Sequence, residues 1–352
     1  MYALCESCLK RLGIKRVPKK CELCGNIFDK IDQLTNFTYE AEFSTFNVGI
    51  KLAQGVVKKE KEIMKNLSLS GEKTLKRELL SILREKLKEK FNKDVQFENP
   101  DVVFIFDLET LEMRTEPRSL YIRGRYNKYV RDIPQTKWYC KKCRGRGCPY
   151  CNFKGKMYET SVEEIIGAVV LRYAECTEEK FHGAGREDIN VRMLGDGRPF
   201  VIEIINPKIR SVELKKIESE INKDKRIVVR ELELSDKREV VRLKQGKFSK
   251  TYLAHLNRSI SDDELGKLSS LKKIHQRTPQ RVVHRRADKT RIRKIYKVER
   301  KNSNCLKICC EGGLYVKELI TGDDGRTTPN VSSVLQKNME CVSLDVVKIH
   351  DR

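Results

Sequence analysis

The chain has 352 residues, enough for two or three domains with separate cores, and its 73 Lys and Arg against 50 Asp and Glu leave a formal charge of +23. That surplus exceeds what solubility requires and points to a polyanionic partner, nucleic acid before an acidic membrane surface. The longest apolar run near the middle, Ile165 to Leu171, contains Gly167 and is far too short to span a bilayer, and MYALCESC carries no signal pattern, so no membrane is expected and the location is read as cytoplasmic.

In a reducing compartment paired cysteines read as metal ligands before disulfides. Cys5-x2-Cys8 and Cys21-x2-Cys24 are separated by twelve residues rich in Lys and Arg, so four thiolates can converge on one structural zinc. A redox C-x2-C pair is the competing reading, and it lacks a surrounding βαβ pattern.

From about residue 31 the composition is that of a mixed α/β segment. Leu75, Leu79, Ile82, Leu83, Leu87 and Phe91 recur at helical spacing, which predicts one amphipathic helix. Pro100 closes the stretch after it, and Asp101-VVFIF-Asp107 follows as a buried strand. In SLYIRGRYNKYVRDIPQTKW, residues 119–138, Arg123, Arg125, Lys128 and Arg131 interleave with Tyr121, Tyr126 and Tyr129. That mixture suits contact with a sugar-phosphate backbone and stacked bases; an exposed basic turn is the plainer alternative.

WYCKKCRGRGCPYC then places Cys140, Cys143, Cys148 and Cys151 as a second candidate zinc site, with Gly145 and Gly147 allowing the short return loop. The likeness to a chaperone zinc repeat is weak, because such chaperones carry several repeats and this chain has one. Ser161 opens a helix as N-cap, with Glu164 positioned for a capping box.

Phe181 to Pro207, FHGAGREDINVRMLGDGRPFVIEIINP, is a polar, glycine-punctuated loop feeding an apolar strand at Phe200 to Ile205. Arg186-Glu187-Asp188 lies within it, read either as a solvated hairpin with an Arg–Asp pair or as an active-site loop. Arg226 to Leu234 alternates like a strand, and KFSKTYLAHL gathers Lys247, Lys250 and Tyr252. Lys272 to Lys301 holds thirteen Lys and Arg against two acids, including Arg281, Arg285 and Arg286, a density that calls for a neutralising anion such as an RNA backbone. CLKICC, Gly312-Gly313 and LYVKELI follow as strand, turn and helix.

Three separated pieces, FHGAGREDINVRMLGDGRPFVIEIINP, KFSKTYLAHL and EGGLYVKELITGDDGRTTP, resemble the catalytic segments of tRNA pseudouridine synthases, most closely the archaeal-type Pus family ten. The likeness spans roughly residues 119–330 together with the N-terminal cysteine pairs. It implies an isomerase acting on uridines 54 and 55 in the TΨC arm of tRNA without a catalytic or nucleotide cofactor; separately, the chain is expected to be a monomer. The likeness also implies Asp188 as nucleophile, Tyr252 as the residue that stacks on the target uracil, Tyr315 as a second substrate-side aromatic, and Lys317, supported by Arg186, as the basic partner of the aspartate. Asn190 departs from the pattern, standing where a second acid is expected.

The fold class that follows is α+β: a pseudouridine-synthase catalytic domain with a central mixed or antiparallel sheet, and an N-terminal THUMP-containing α/β RNA-binding domain with zinc knuckles. The expected division is a zinc element at 1–33, the THUMP-containing part with the second cysteine cluster at 34–159, and the catalytic domain at 160–352. Two readings compete on function. One is a zinc-containing tRNA-binding or ribosome-associated module without chemistry, which fits charge and cysteines equally. The other is a THUMP-bearing methyltransferase or thiolase, for which no strand-GxGxxG-helix or P-loop stretch is found.

Overall fold

The computed structural model describes residues 2–68 and 74–350. The chain divides into two compact units, residues 1–119 with 206–211, and residues 120–205 with 212–352.

The first unit contains α1 (Glu6–Arg11), α2 (Ile31–Thr35), β1 (Thr45–Lys51), α3 (Gln54–Asn66), α4 (Leu75–Phe91), β2 (Asp94–Val95), β3 (Val102–Asp107) and β4 (Glu112–Pro117). Its sheet has the order β2-β1-β3-β4, with β1 parallel to both neighbours and β4 antiparallel to β3. Helix α4 forms where the leucine spacing predicts it: Leu75, Leu79, Leu83 and Leu87 are its buried stripe, while Ile82 and Phe91 are half-buried, and Thr74 caps its first turn. The first 33 residues are not a separate element, since Leu4, Leu9, Leu12 and Ile27 share one core with Phe46, Leu83 and Phe104.

The second unit contains β5 (Leu120–Lys128), α5 (Val162–Tyr173), β6 (Glu178–Gly183), β7 (Val191–Ile205), α6 (Leu214–Ile221), β8 (Ile227–Ser235), α7 (Lys237–Gln245) and β9 (Ser249–Leu256). It continues with α8 (Asp262–Leu268), β10 (Lys273–Arg277), β11 (Thr290–Asn302), β12 (Cys305–Cys310), α9 (Val316–Thr321), β13 (Thr327–Thr328), α10 (Val331–Leu335) and β14 (Cys341–His350). These strands make a ten-stranded mixed sheet of order β13-β10-β11-β12-β9-β14-β7-β5-β8, with β6 added on β7. Only β14 and β7 run parallel; the other pairs are antiparallel.

The dividing line at Ser119–Leu120 differs from the expected one at 159–160, for a hydrogen-bonding reason. Strand β5 is zipped between β7 and β8, from Leu120 opposite Ile204 to Lys128 opposite Ile227, so residues 120–159 and their four cysteines go with the second unit. The glycine-rich stretch is also less of a loop than expected: β7 starts at Val191 and bends through Gly195 and Gly197 before its buried run from Phe200. Ser161 caps α5 by accepting from the Glu164 N–H at 3.1 Å, but the capping box does not close. The Glu164 carboxylate takes the Ser161 hydroxyl and the Lys156 ammonium instead of the N-cap backbone. Among the described residues no helix is long and apolar enough to cross a membrane.

Candidate active site

Residues 184–190, between β6 and β7, carry Asp188, and they are pinned from behind by buried polar side chains of β5 and β7. The inward face of β5 presents Tyr126 and Lys128. Lys128 Nζ donates to the carbonyl oxygens of Ile133 (2.8 Å), Ile189 (2.8 Å) and Asp188 (3.3 Å). Tyr126 Oη donates to the Glu187 carboxylate at 2.9 Å and accepts from Gln135 Nε2 at 2.7 Å; the same amide reaches the Gly185 carbonyl at 3.0 Å. Arg198, at the turn into the buried half of β7, donates from Nε to Glu187 (2.9 Å) and from Nη1 to the Ala184 carbonyl (2.7 Å).

The Arg198 and Glu187 side chains are 1% and 0% exposed. Burial works against the Arg198 charge, and the Glu187 carboxylate more than offsets it, so the guanidinium stays protonated. Such a pair contributes little net stability, but removing either partner strands a buried charge, which fixes the loop in one geometry.

In front of the loop lies a cavity of 350 Å³ lined by Asp188, Lys250, Tyr252, Arg281, Tyr315 and Lys317, among others. Lys250 and Tyr252 alternate on one face of β9, and both point inward. Burial, with Arg198 adding repulsion, pushes the Lys250 amine down to about 7, and burial raises the Tyr252 phenol, which is therefore neutral. Gly185 has φ +79°, a conformation that favours glycine, and a Cβ there would lie 2.6 Å from Lys250 Nζ and displace the amine.

The cation on Asp188 is Arg281. Its Nη1 lies 2.9 Å from Asp188 Oδ2, its Nε bonds the buried Glu318, and its guanidinium carbon sits 5.7 Å from the Tyr315 ring centre. Burial opposes the Arg281 charge, but Glu318 and Asp188 outweigh it and raise its pKa. Lys317, the expected partner, instead donates to Asn190 Oδ1 at 2.8 Å. The amide standing where an acid was expected thus claims the lysine. Burial lowers the Lys317 pKa, with Asp188 pulling the other way from nearby. Arg186 does not touch Asp188 either; its guanidinium lies over Trp138, 5.2 Å from the ring centre.

The structure therefore gathers Asp188, Tyr252, Tyr315 and Lys317 around one cavity and adds Arg281, which the sequence reading assigned to RNA. The basic run on β5 is reassigned more sharply. Lys128 is fully buried and takes no part in any surface. Arg123 pairs with Glu233, Arg125 donates to the carbonyls of Asp196 and Gly197, and Arg131 holds Asp345 and the Leu344 carbonyl. Glu187, Arg198, Gln135 and Glu318 were not anticipated. Strand parity could have found part of this: Ile122, Tyr126 and Lys128 share one face of β5, while Arg123 and Arg125 share the other.

Each four-cysteine group is compact, with all four sulfurs within 4.8 Å of one another and all thirteen cysteines free of disulfides. Cys5 and Cys24 sulfurs are 3.6 Å apart, and the Cys140–Cys148 and Cys143–Cys151 pairs 3.8 Å. Zinc–sulfur bonds of about 2.3 Å in a tetrahedron set sulfurs about 3.8 Å apart. Backbone N–H groups of Gly147 and Gly155 point at Cys143 and Cys151, both at 3.2 Å, as thiolate ligands require. Donor set and spacing both fit zinc.

Residues 121–350 match the family model described as Pus10, C-terminal, and residues 31–107 the one described as Pus10 THUMP domain, archaeal. The chain belongs to the Pus10 family. Among its curated Pus10 relatives, the tRNA pseudouridine synthase Pus10 of Methanocaldococcus jannaschii is 46% identical over 348 residues, 95% of this chain and 76% of that protein. The protein of the same name from Archaeoglobus fulgidus is 40% identical over 98% of this chain and 99% of its own length, and that from Methanothermobacter marburgensis 43% identical over 94% and 86%. The Pus10 C-terminal match begins one residue inside β5, in agreement with the sheet pairing that ties residues 120–159 to the second unit.

Proposed function

We propose that this chain is a tRNA pseudouridine synthase that isomerises uridines 54 and 55 of the TΨC arm, with Asp188 as nucleophile. The observation that carries the reading is Asp188, paired with Arg281, on the wall of a 350 Å³ cavity that also presents Tyr252 and Tyr315. Arg281 sets a cation 2.9 Å from the Asp188 carboxylate, and Lys317 adds a second positive charge beside Asn190.

A uridine turned out of its stack brings its ribose to Asp188 and its base between polar-edged aromatic side chains. The N1–C1′ bond then breaks, the base turns, and a C5–C1′ bond forms. C5 loses its proton and N1 gains one, so composition is unchanged and no oxidant, energy source or catalytic metal is consumed. Tyr252, kept neutral by burial, presents its ring and a hydroxyl to the base without adding charge. The loop behind Asp188 has little freedom, because Lys128, Gln135 and Arg198 hold its carbonyls. Nucleophile and ribose therefore meet with little reorganisation. Zinc in the two cysteine groups is structural: Cys5, Cys8, Cys21 and Cys24 would hold one ion, and Cys140, Cys143, Cys148 and Cys151 the other.

The test is a pseudouridine map of unmodified tRNA after incubation with wild type and with Asp188→Ala. Wild type is expected to convert both positions, and Asp188→Ala neither. Full conversion by Asp188→Ala would remove the aspartate from the reaction, and absence of product with wild type would remove the activity.

A further inference from the structure

A second cleft, of 730 Å³, adjoins the Asp188 loop and is lined by Trp138, Tyr158, Arg186, Val282, Arg285 and Arg286, among others. Trp138 is the single tryptophan of the chain. It is half-buried and seated edge-on against Tyr158, with ring centres 5.4 Å apart. Two guanidinium groups converge on it, Arg186 at 5.2 Å and Arg285 at 5.3 Å from the ring centre.

Two cations on one indole repel each other. Burial lowers the Arg186 pKa, Arg285 and more weakly Arg286 add repulsion, and Glu187 opposes them only in part. The nearby carboxylates give Arg186 no direct partner, since Glu187 bonds Arg198 and Tyr126, and Asp188 pairs with Arg281. Among the described residues no carboxylate lies within 4.0 Å of Arg186, Arg285 or Arg286. The cation–π contacts are weak and leave the guanidinium N–H donors open. An arrangement that spends charge repulsion to preset two open donor forks beside a reacting centre fits an oxyanion ligand. The cleft shares Asp188, Arg281, Tyr315 and Lys317 with the uridine cavity, so an RNA strand whose uridine sits over Asp188 passes a backbone phosphate through it.

We propose that Arg186 and Arg285, braced on Trp138, form a clamp for a phosphodiester flanking the reacting uridine. The proposal rests on the RNA-substrate reading above, but its test reads binding apart from chemistry. Trp138 fluorescence in the full-length protein is followed while unmodified tRNA transcript is titrated at several salt concentrations, and pseudouridine is mapped in the same samples. Binding is expected to shift the emission. Arg186→Gln and Arg285→Gln are each expected to weaken binding about 5–20-fold and to lower the log–log salt slope by about one, with the melting temperature kept as a check on folding. Arg186→Lys should recover the slope but only part of the affinity, because an ammonium keeps the charge and loses the fork.

An emission shift with no pseudouridine formed would support the clamp while sinking the enzymatic reading. Pseudouridine formed with unmoved emission, or an Arg186→Gln/Arg285→Gln protein with the wild-type salt slope, would overturn the clamp. A shift of equal size with polyaspartate, abolished by the same substitutions, would also overturn it in favour of an acidic peptide.

Discussion

Replacing Arg281 by Gln separates two roles that one arginine could have, holding RNA or holding Asp188. The guanidinium makes one contact with Asp188 at 2.9 Å and one with Glu318, whose side chain is 6% exposed and whose Oε2 has no partner among the described residues. A charge-assisted hydrogen bond is worth about 1.5–3 kcal/mol, and because Arg281 is 38% exposed the lower part of that range applies. Loss of about 1.5–2 kcal/mol at the proposed nucleophile predicts a fall in kcat of about 10–30-fold. The second consequence is structural. Stranding a buried carboxylate costs about 3–5 kcal/mol in a dry site, reduced here to about 2 by partial solvent access, which lowers Tm by about 4–8 °C. Arg281→Gln/Glu318→Gln removes the stranded charge, so it should regain most of the Tm and none of the kcat. Single-turnover conversion at saturating tRNA together with a thermal melt reads both quantities. If Arg281→Gln keeps kcat within about threefold of wild type while KM rises and the salt slope falls, Arg281 is a phosphate contact and the pairing with Asp188 is incidental.

Lys250 gives a pH test with a defined sign. Its amine titrates at about 7 in the folded chain against an ordinary 10.5, so between those values the unfolded chain holds the extra proton and stability rises with pH. At about 1.4 kcal/mol per pH unit the buried charge costs at most on the order of 4–5 kcal/mol below pH 7. Lys250→Met should therefore raise Tm most at pH 6 and lose that advantage as the pH approaches 10.5; a gain independent of pH would refute the assignment. For the metals, elemental analysis is expected to find two zinc ions per chain, one lost on Cys21→Ser and the other on Cys143→Ser, each with a lowered melting temperature. A zinc-free protein that melts like the untreated one would remove both sites.

The readable parts of this sequence were those where one period dominates. The leucines of α4, the apolar run of β3 and the C-x2-C spacings each encode a local geometry that tertiary packing leaves unchanged. Asp188, Tyr252 and the Tyr315–Lys317 segment lie far apart in the chain and were connected by motif resemblance; the sheet order then brings them to one cavity. The partners within that cavity were not readable, because they depend on angstrom-scale competition. Lys317 and Arg281 both lie near Asp188, and it is Arg281 that pairs with it while Lys317 bonds Asn190.

Lys128 is the instructive misreading. Set among arginines and tyrosines, it looks like one more phosphate contact, yet the period of two on β5 turns it inward with Ile122 and Tyr126. Burial lowers its pKa to about 8, and its ammonium satisfies three carbonyl oxygens, two of them in the Asp188 loop. If it bound RNA, Lys128→Met would lower the salt slope of tRNA binding by about one. The buried position predicts instead an unchanged slope, because no phosphate contact is lost. Three acceptors would be left without their donor, at about 1–3 kcal/mol for each that water does not reach, so Tm should fall by several degrees. Conversion should fall as well, since the carbonyls of Asp188 and Ile189 would no longer be held. A lowered slope in a protein that melts like wild type would return Lys128 to the RNA surface and undo this account of how the loop is held.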